Sequence, residues 1–180
     1  MQQQTANSHN LKEEAAYHRK ALNRAVMRDT LSWCQHNSRL RHTERVHSYT
    51  LLGAESWSQG DVQTSSPRVE IRNADCVQVA TELCKVTGAK VYMLNMACPR
   101  NPGGGSMQGY SSQEEHGCRC SNLYPQLQRA WRENKFPLHN YHSSSNTPDF
   151  TVLVHEKVTV FKDTQNYSIL PPSEWREFGV

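Results

Sequence analysis

The chain has 180 residues, which is enough for one domain with a hydrophobic core and too few for two domains of ordinary size. Its formal charge of +3 is small, and lysine and arginine are dispersed along the chain, so the composition does not predict direct DNA binding. Apolar residues make up 36%, a low share for a compact domain, which predicts either disordered tails or an incomplete core.

Targeting and redox features of the sequence predict a protein inside the cell. The N-terminus has no apolar run typical of a signal peptide, and no apolar stretch reaches the length of about eighteen residues that a membrane helix requires. Six cysteines occur without a CxxC motif or regular spacing, which favours reduced thiols over disulfides. We therefore expect a soluble intracellular protein, cytoplasmic or nuclear, that does not bind membranes.

The N-terminal third predicts a tail, a long helix and one short strand. Residues 1–10 are polar and have no apolar period, so we expect a disordered tail there. Residues 11–36 predict a helix that packs on the domain as a cap. Residues 49–52 predict a short strand, and residues 53–66 have the composition of a loop. The predicted inward face of the helix consists of Leu11, Ala15, Leu22, Val26 and Trp33.

A strand, a helix and a second strand are predicted next. Residues 68–72 alternate apolar and charged side chains, which is typical of a strand with one exposed face. Asp75 is the expected N-cap of the following helix, and Gly88 is its expected C-terminal stop. Residues 91–94 form a continuous apolar run, which predicts a central strand buried on both faces. Together these elements predict a βαβ unit with parallel strands and a right-handed crossover.

Another helix is expected after residue 124. Pro125 fits its first turn, and the helix should end near Asn134. Leu127 and Trp131 are predicted to point inward. We interpret both Trp131 and Trp33 as core residues rather than as rings that stack on a ligand.

The C-terminal quarter predicts a surface excursion and short strands. Residues 135–150 are rich in serine, asparagine and proline and predict the excursion. Residues 151–154 and 158–161 are two short β-type runs, which form either a hairpin or one kinked strand. Residues 178–180 have the character of a further core strand.

The stretch at residues 91–124 combines an apolar run, a glycine triplet and an acidic helix start. Gly103, Gly104 and Gly105 let the backbone take positive φ and approach a ligand closely. Such loops at helix N-termini commonly bind phosphate, because free amides and the helix dipole both favour an anion. Neither GxGxxG nor GxxxxGK[ST] is present, so the loop predicts neither a dinucleotide fold nor a P-loop.

Two adjacent carboxylates, Glu114 and Glu115, follow the loop at the predicted helix start. An acid pair beside a glycine loop suits an enzyme that holds a diphosphate while it cleaves a neighbouring glycosidic bond. Because adjacent carboxylates repel each other, one of the two pKa values can rise towards neutrality, as a general acid requires.

The glycine triplet at 103–105, seven further residues and then QEE at 113–115 resemble the signature of the poly(ADP-ribose) glycohydrolases. The flanking segments LNMACPRNPGGG and CRCSNLYPQL are similar to the microbial-type branch of that family. MRDT at 27–30 and VHEKVTVFKD at 154–163 extend the resemblance over most of the chain. It implies a macrodomain-like three-layer α/β/α fold at residues 11–180, with a mixed sheet and the N-terminal helix as a cap.

The resemblance also implies that this domain is incomplete. Members of the family normally continue with more core strands, a second phosphate loop and an aromatic residue that stacks on adenine. No equivalents are evident before Val180. We therefore expect the chain to be the N-terminal portion of such a domain.

The resemblance assigns roles to the matching residues. Glu115 would protonate the leaving ribose hydroxyl and then activate water, and Glu114 would bind ribose hydroxyls. Asn101 and Gln113 would position the same ribose, while the glycine triplet would admit the diphosphate. The implied substrate is poly(ADP-ribose) or an ADP-ribosylated protein, and the route needs neither a metal nor a cofactor.

Other interpretations of these residues stay open. Ser112 and Glu115 also match a capping box, in which case the acids serve only to begin a helix. His116, Cys118 and Cys120 allow a zinc site, although no fourth ligand is evident.

Two side chains beside the motif have alternative roles. Cys98 is either a reactive thiol or a small buried side chain. Tyr110 either stacks on a sugar or base or covers the glycine turn. For the whole chain, the alternative to a glycohydrolase is a catalytically inactive or truncated macrodomain that binds ADP-ribose or acts as a scaffold.

Overall fold

The computed structural model describes residues 2–41, 46–51, 68–140 and 149–180. The helices are α1 Gln2–His36, α2 Cys76–Thr87, α3 Gln113–Cys120 and α4 Leu123–Arg132, with short 3-10 turns at Ser38–Leu40 and Ser106–Gln108. The strands are β1 His47–Leu51, β2 His139–Asn140, β3 Asp149–Val154, β4 Val158–Val160 and β5 Arg176–Phe178. None of the helices within these ranges is long and apolar enough to cross a membrane.

The strands form two small antiparallel sheets. In one sheet β3 lies between β1 and β2, and in the other β4 pairs with β5. Tyr92 and Gly179 add an isolated parallel bridge next to β5. In it, Met93 N donates to Gly179 O and Gly179 N donates to Val91 O, both at 2.8 Å. The described chain is therefore a mixed α/β structure, which confirms the predicted fold class at this level.

Helix α1 packs on the domain as predicted, but its start and its inward face were predicted wrongly. It begins at Gln2, so residues 2–10 are helical rather than a disordered tail. This segment has no proline or glycine, and its glutamines and alanine favour a helix. Leu22 is 60% exposed and Trp33 is 37% exposed. The buried side chains of α1, within the part described, are Asn23, Met27, Thr30 and Cys34.

Polar contacts explain the inward face of α1. Asn23 Nδ2 donates to Gly109 O at 2.9 Å, and Thr30 Oγ1 donates to Arg119 O at 2.8 Å. These buried polar side chains are stable because each one has a hydrogen-bond acceptor. Since two of the four inward positions are polar, apolar periodicity could not identify this face.

The predicted βαβ unit does not form among the described residues. Residues 68–72 belong to no strand, and Ile71 is 94% exposed. An alternating pattern becomes a strand only when a neighbour supplies hydrogen bonds, and the described chain places no strand beside this segment. Residues 91–94 are also not buried on both faces, because Met93 is buried while Leu94 is 78% exposed.

For helices α2 and α4, several features that were predicted from the sequence are observed in the structure. The Asp75 side chain accepts from Gln78 N at 2.9 Å, and Gly88 ends α2 at φ 62°. In α4, Leu127 is buried as predicted. Trp131 is 54% exposed, so its predicted inward direction is wrong. The inward face of α4 consists of Leu123, Leu127 and Ala130.

The two β-type runs near the C-terminus lie in different sheets. Because β3 pairs with β1 and β2 while β4 pairs with β5, they form neither the predicted hairpin nor one kinked strand. The short strand predicted at residues 49–52 is confirmed as β1. The predicted loop at 53–66 and the middle of the predicted excursion, residues 141–148, lie outside the described residues.

Two clusters contain most of the buried hydrophobic residues. One packs α2 against the 91–93 segment, β4 and β5, and its buried members are Val77, Ala80, Met93, Cys120, Val160 and Phe178. The other joins α1, α3, α4 and β4 through Met27, Cys118, Leu123, Leu127 and Val158. Helix α3 contributes a cysteine to each cluster, so both clusters fix its position.

One buried histidine, His155, is expected to make the stability of the fold depend on pH. His155 is 2% exposed, and its backbone exchanges hydrogen bonds with Val180 at 2.7 and 2.8 Å. Its Nδ1 lies 3.3 Å from Gln126 Oε1, while Nε2 has no partner among the described residues. Burial lowers the pKa of His155 to about 4, and the positive charge of Lys135 acts in the same direction.

We predict that His155 destabilises the fold in acid. Between its ordinary pKa of 6.5 and its native pKa of about 4, the unfolded chain binds a proton that the native chain does not. The free energy of unfolding should fall by about 3 kcal/mol as the pH is lowered through this window, and should be unaffected above it. Urea unfolding at pH 7, 5.5 and about 4 measures the change.

His155→Gln should flatten this acid dependence, because glutamine does not titrate. The matched control is His18→Gln on the solvent side of α1, where the side chain is 72% exposed. It should leave the pH dependence of the wild type intact. Parallel pH profiles for wild type and His155→Gln would contradict the assignment.

Candidate active site

The turn between residues 101 and 109 folds back over the start of α3. Gly103 and Gly104 have φ of 76° and 52°, in the left-handed region that favours glycine. Gly104 N donates to Asn101 O at 2.9 Å, and Ser106 N donates to Gly103 O at 3.1 Å. These two tight turns place the loop amides beside the side chains of α3.

Glu114 is buried under this loop, with 3% of its surface exposed. Its Oε2 accepts from Cys98 N at 2.9 Å, and its Oε1 accepts from Gly103 N at 3.2 Å and from Asn95 Nδ2 at 3.4 Å. Burial raises the pKa of Glu114 above its usual range, and the three hydrogen bonds oppose that rise. The expected repulsion from Glu115 is present but is the smallest of the causes.

Glu115 is 5% exposed and also faces the loop. Its Oε1 accepts from Gly105 N at 2.8 Å, and its Oε2 accepts a hydrogen bond from Ser112 Oγ. Ser112 occupies the N-cap position of α3, but its side chain makes no capping hydrogen bond. The capping box therefore does not form, and the acid pair serves the loop rather than the helix terminus.

Gly104 lies directly against both carboxylates. A Cβ atom at this position would lie 2.6 Å from Glu115 Oε1 and 3.0 Å from Glu114 Oε2. The first distance is shorter than real Cβ contacts and the second is unusually tight, so a side chain at this position would displace the acids. The side of Gly104 that would carry a Cβ therefore faces both carboxylates.

The structure brings Asn101, the glycine triplet and both acids together, whereas Gln113 is engaged elsewhere. Gln113 Nε2 donates to Leu94 O at 2.8 Å, and its Oε1 accepts from Met96 N at 3.0 Å. The amide thus ties α3 to the end of the 91–96 segment. Asn101 is exposed at the rim of a groove that also includes Gly104.

Two neighbours of the motif take structural positions. Cys98 contributes its backbone N–H to Glu114, and its thiol forms no disulfide. Tyr110 lies over Gly105, where an added Cβ would overlap its ring. The Nζ of Lys20 lies 4.8 Å from the centroid of the same ring. Tyr110 therefore covers the turn, which is one of its two predicted roles.

Asn95 and Ser112 also belong to the site, although the sequence did not predict this. Asn95 donates to Glu114, and its Oδ1 is buried without a partner among the described residues. Ser112 donates to Glu115. The only signal in the sequence was their position in the segments that flank the motif, because asparagine and serine are common in loops.

The three residues considered for zinc do not converge. His116 Nε2 lies 3.0 Å from Asp75 Oδ2, and its Nδ1 lies 3.0 Å from Tyr167 Oη. Burial lowers the pKa of His116, and the charge of Asp75 opposes this. Cys120 Sγ is 3.7 Å from His116 Nε2, while Cys118 packs in the other hydrophobic cluster. Within the described ranges, no three His, Cys, Asp or Glu side chains are grouped to hold a metal.

Comparisons with known proteins concern the family and the fold of the chain. A family model described as microbial-type PARG, catalytic domain, matches residues 5–163. The crystal structure of poly(ADP-ribose) glycohydrolase (PARG) from Thermomonospora curvata matches with a TM-score of 0.58 and 22% identity, over 89% of this chain and 62% of that chain. Its complex with the inhibitor ADP-HPD matches with the same TM-score and identity, over 89% of this chain and 61% of the other. A search of curated proteins found no match.

These matches define a shared fold and a family. The chain spans about 62% of the length of the solved structure that it resembles. At 22% identity that likeness concerns the fold, whereas the family model covers most of the chain, including the glycine loop and the acid pair. The chain therefore belongs to the family of microbial-type PARG catalytic domains.

Proposed function

We propose that this chain hydrolyses ribose-ribose O-glycosidic bonds in poly(ADP-ribose), using Glu115 and Glu114. The observation that carries the proposal is the burial of two adjacent carboxylates under a glycine loop whose amides donate to them. Backbone donors, together with one side-chain donor for each acid, hold each carboxylate in one orientation. Membership of the PARG catalytic-domain family supports the same reaction class.

In the proposed mechanism, Glu115 acts as general acid and then as general base. It gives its proton to the ribose oxygen that leaves as the bond to the anomeric carbon breaks. Water then attacks that carbon and returns a proton to Glu115. Gly105 N and Ser112 Oγ orient the carboxyl group throughout.

Glu114 binds the sugar in this proposal. Its carboxylate would accept from a ribose hydroxyl, because its two oxygens offer about four acceptor positions and three N–H groups occupy three of them. Asn101 at the rim and the backbone at Gly104 would complete the ribose site. Gln113 would contribute indirectly, by fixing the 94–96 backbone beside α3.

We propose a macrodomain-like three-layer arrangement as the finer architecture. Its support is the mixture of antiparallel β4 and β5 with a parallel bridge at Tyr92, and the packing of helices in two separate clusters.

We also propose an intracellular location. The six free cysteines, of which Cys34, Cys118 and Cys120 are buried, support it.

The second candidate is a module that binds ADP-ribose without turnover. It is favoured by the fact that both oxygens of each carboxylate already have hydrogen-bond partners, which are Asn95, Cys98, Gly103, Gly105 and Ser112. Carboxylates satisfied in this way can act as structural anchors of the turn. Activity measurements separate the two candidates.

We predict that the purified protein releases ADP-ribose from poly(ADP-ribose), and that Glu115→Gln lowers kcat by about 100-fold to 10,000-fold. Glutamine keeps the shape of the side chain but cannot transfer the proton. The matched control is Glu82→Gln on the exposed side of α2, which should retain the wild-type rate. Chromatography of the released product measures each rate.

Each outcome of this assay is informative. No release by folded wild-type protein that still binds ADP-ribose would refute the hydrolase and favour the binding module. Equal rates for wild type and Glu115→Gln would refute the role of Glu115.

A pair of glycine variants tests the close approach at Gly104. Gly104→Ala and Gly88→Ala both place alanine at positive φ, 52° and 62°, and should each lose about 1–2 kcal/mol of stability. Only the Cβ at position 104 meets Glu115, whereas nothing lies within 4 Å of the Cβ at position 88. We predict a loss of activity of about 100-fold in Gly104→Ala alone, because a displacement of about 1 Å at a reacting group has this cost.

Thermal unfolding and ADP-ribose release, measured together, check this prediction. Gly88→Ala reports the effect of backbone strain without a contact at the site. If both variants lose stability and activity in the same proportion, Gly104 has no special relation to the acid pair.

A further inference from the structure

Arg119 is a buried cation on α3, one helical turn beyond the proposed acid Glu115. It is 1% exposed, and no carboxylate within the described part of the chain forms an ion pair with it. A charge in such a place is costly unless its donors have hydrogen-bond acceptors. The position of Arg119 therefore depends on the polar groups around its guanidinium.

Two of these polar groups come from different segments of the chain. Arg119 Nη1 donates to Tyr110 O at 2.6 Å, and Arg119 Nε donates to Tyr167 Oη at 3.2 Å. Tyr167 has φ of 59°, in the left-handed region that side chains rarely adopt, so the surrounding contacts must hold it there. The guanidinium thus joins the end of the glycine-loop segment to the turn that contains Tyr167.

The positive charge of Arg119 is linked to the carboxylate of Asp75 through two neutral groups. Because Arg119 donates to Tyr167 Oη, the tyrosine can donate its own proton to His116 Nδ1, which lies 3.0 Å away. The N–H at Nε2 of His116 then donates to Asp75 Oδ2 at 3.0 Å. Burial lowers the pKa of His116, which favours this neutral form of the ring. A network in which every member has a partner holds the guanidinium in one orientation.

Tyr110 connects Arg119 with the glycine loop. Its N–H donates to Gly105 O at 3.2 Å, and its ring fills the space that a Cβ on Gly105 would need. Gly105 N in turn donates to Glu115 Oε1 at 2.8 Å. The carbonyl that Arg119 holds and the amide that holds Glu115 therefore belong to two residues in direct contact.

Building on the proposed hydrolase function, we propose that Arg119 is a positioning residue for Glu115. By holding Tyr110 O, it keeps the tyrosine against Gly105 and so fixes the Gly105 N–H that orients the carboxyl group of the acid. A planar guanidinium suits this role because it donates to two separate acceptors at once, whereas a lysine ammonium lacks the fixed fork. The role involves neither proton transfer nor contact with the substrate.

Hydrogen exchange of single amides, followed by NMR, tests the positioning without turnover. The Gly103 amide is an internal reference, because it donates to Glu114 in the same loop and the side chain nearest to it is Tyr124 rather than Tyr110. Arg119→Lys should accelerate exchange at Gly105 about tenfold relative to Gly103, since loss of one hydrogen bond from a charged donor changes a local opening equilibrium by this order.

A second variant and a control accompany this measurement. Tyr167→Phe leaves Arg119 in place but removes the hydroxyl that orients it, so it should change the exchange ratio in the same direction by a smaller factor. The matched control is Asn122→Ala, because Asn122 is a 0% exposed polar side chain that donates to Leu40 O at 3.1 Å, outside the glycine loop. It should lower stability and leave the ratio of Gly105 to Gly103 exchange unchanged.

Steady-state kinetics on poly(ADP-ribose) supply the second readout. Arg119→Lys should lower kcat about tenfold, because a displaced acid reacts more slowly even when the displacement is well below 1 Å. KM should stay within about twofold, because Arg119 does not contact the substrate in this proposal.

The outcomes separate this proposal from the hydrolase proposal. An unchanged exchange ratio in folded Arg119→Lys overturns the positioning role whatever the activity, and in Tyr167→Phe it does so if Arg119→Lys does not fold. A raised KM with unchanged kcat also overturns it, because that result indicates a contact with the substrate. If the exchange ratio changes as expected while folded wild-type protein releases no ADP-ribose, the hydrolase proposal fails and the hold of Arg119 on the Gly105 amide stands.

Discussion

The hydrogen bonds from the loop backbone to two buried carboxylates are the constraint on which the site depends. Cys98 N and Gly103 N donate to Glu114, and Gly105 N donates to Glu115. An acid that is 3% or 5% exposed is costly to bury unless its oxygens are hydrogen-bonded, so the loop and the acids stabilise each other. This mutual dependence explains the tight turns of the loop, and it fixes the two carboxylates relative to the loop backbone.

The frame that holds α3 comes from distant parts of the chain. Thr30 of α1 donates to the carbonyl of Arg119 in α3, and the neighbouring Asp29 pairs with Lys162 at 2.7 Å. Lys162 is only 1% exposed, so its charge requires this partner. The segments 27–30 and 154–163 resemble the family in sequence but contain none of the proposed site residues. In the structure they meet around α3, the helix that carries the acid pair. Their role in the structure is to position α3.

Features encoded within a few residues were predictable from the sequence, and features that need distant partners were not. The Asp75 cap and the Gly88 stop depend only on the backbone of α2, and both are observed. The loop and the acid pair were recognisable because a glycine triplet and two adjacent acids occur at close spacing in the sequence. The alternation at 68–72 gave a wrong strand because strand formation depends on a neighbour that the segment itself does not encode. The exposure of Trp131 was likewise missed, because a helical period does not reveal which neighbouring positions face the core.

A carbon-13 NMR titration of the Glu114 carboxyl group tests the central claim most directly, since it reports both the burial of the acid pair and its ties to the loop. The account predicts an apparent pKa above the usual range of glutamate. It also predicts that most of the rise persists in Glu115→Gln, because burial rather than repulsion is its main cause. A Glu114 that titrates at or below the ordinary glutamate pKa, or whose rise disappears in Glu115→Gln, would contradict the account.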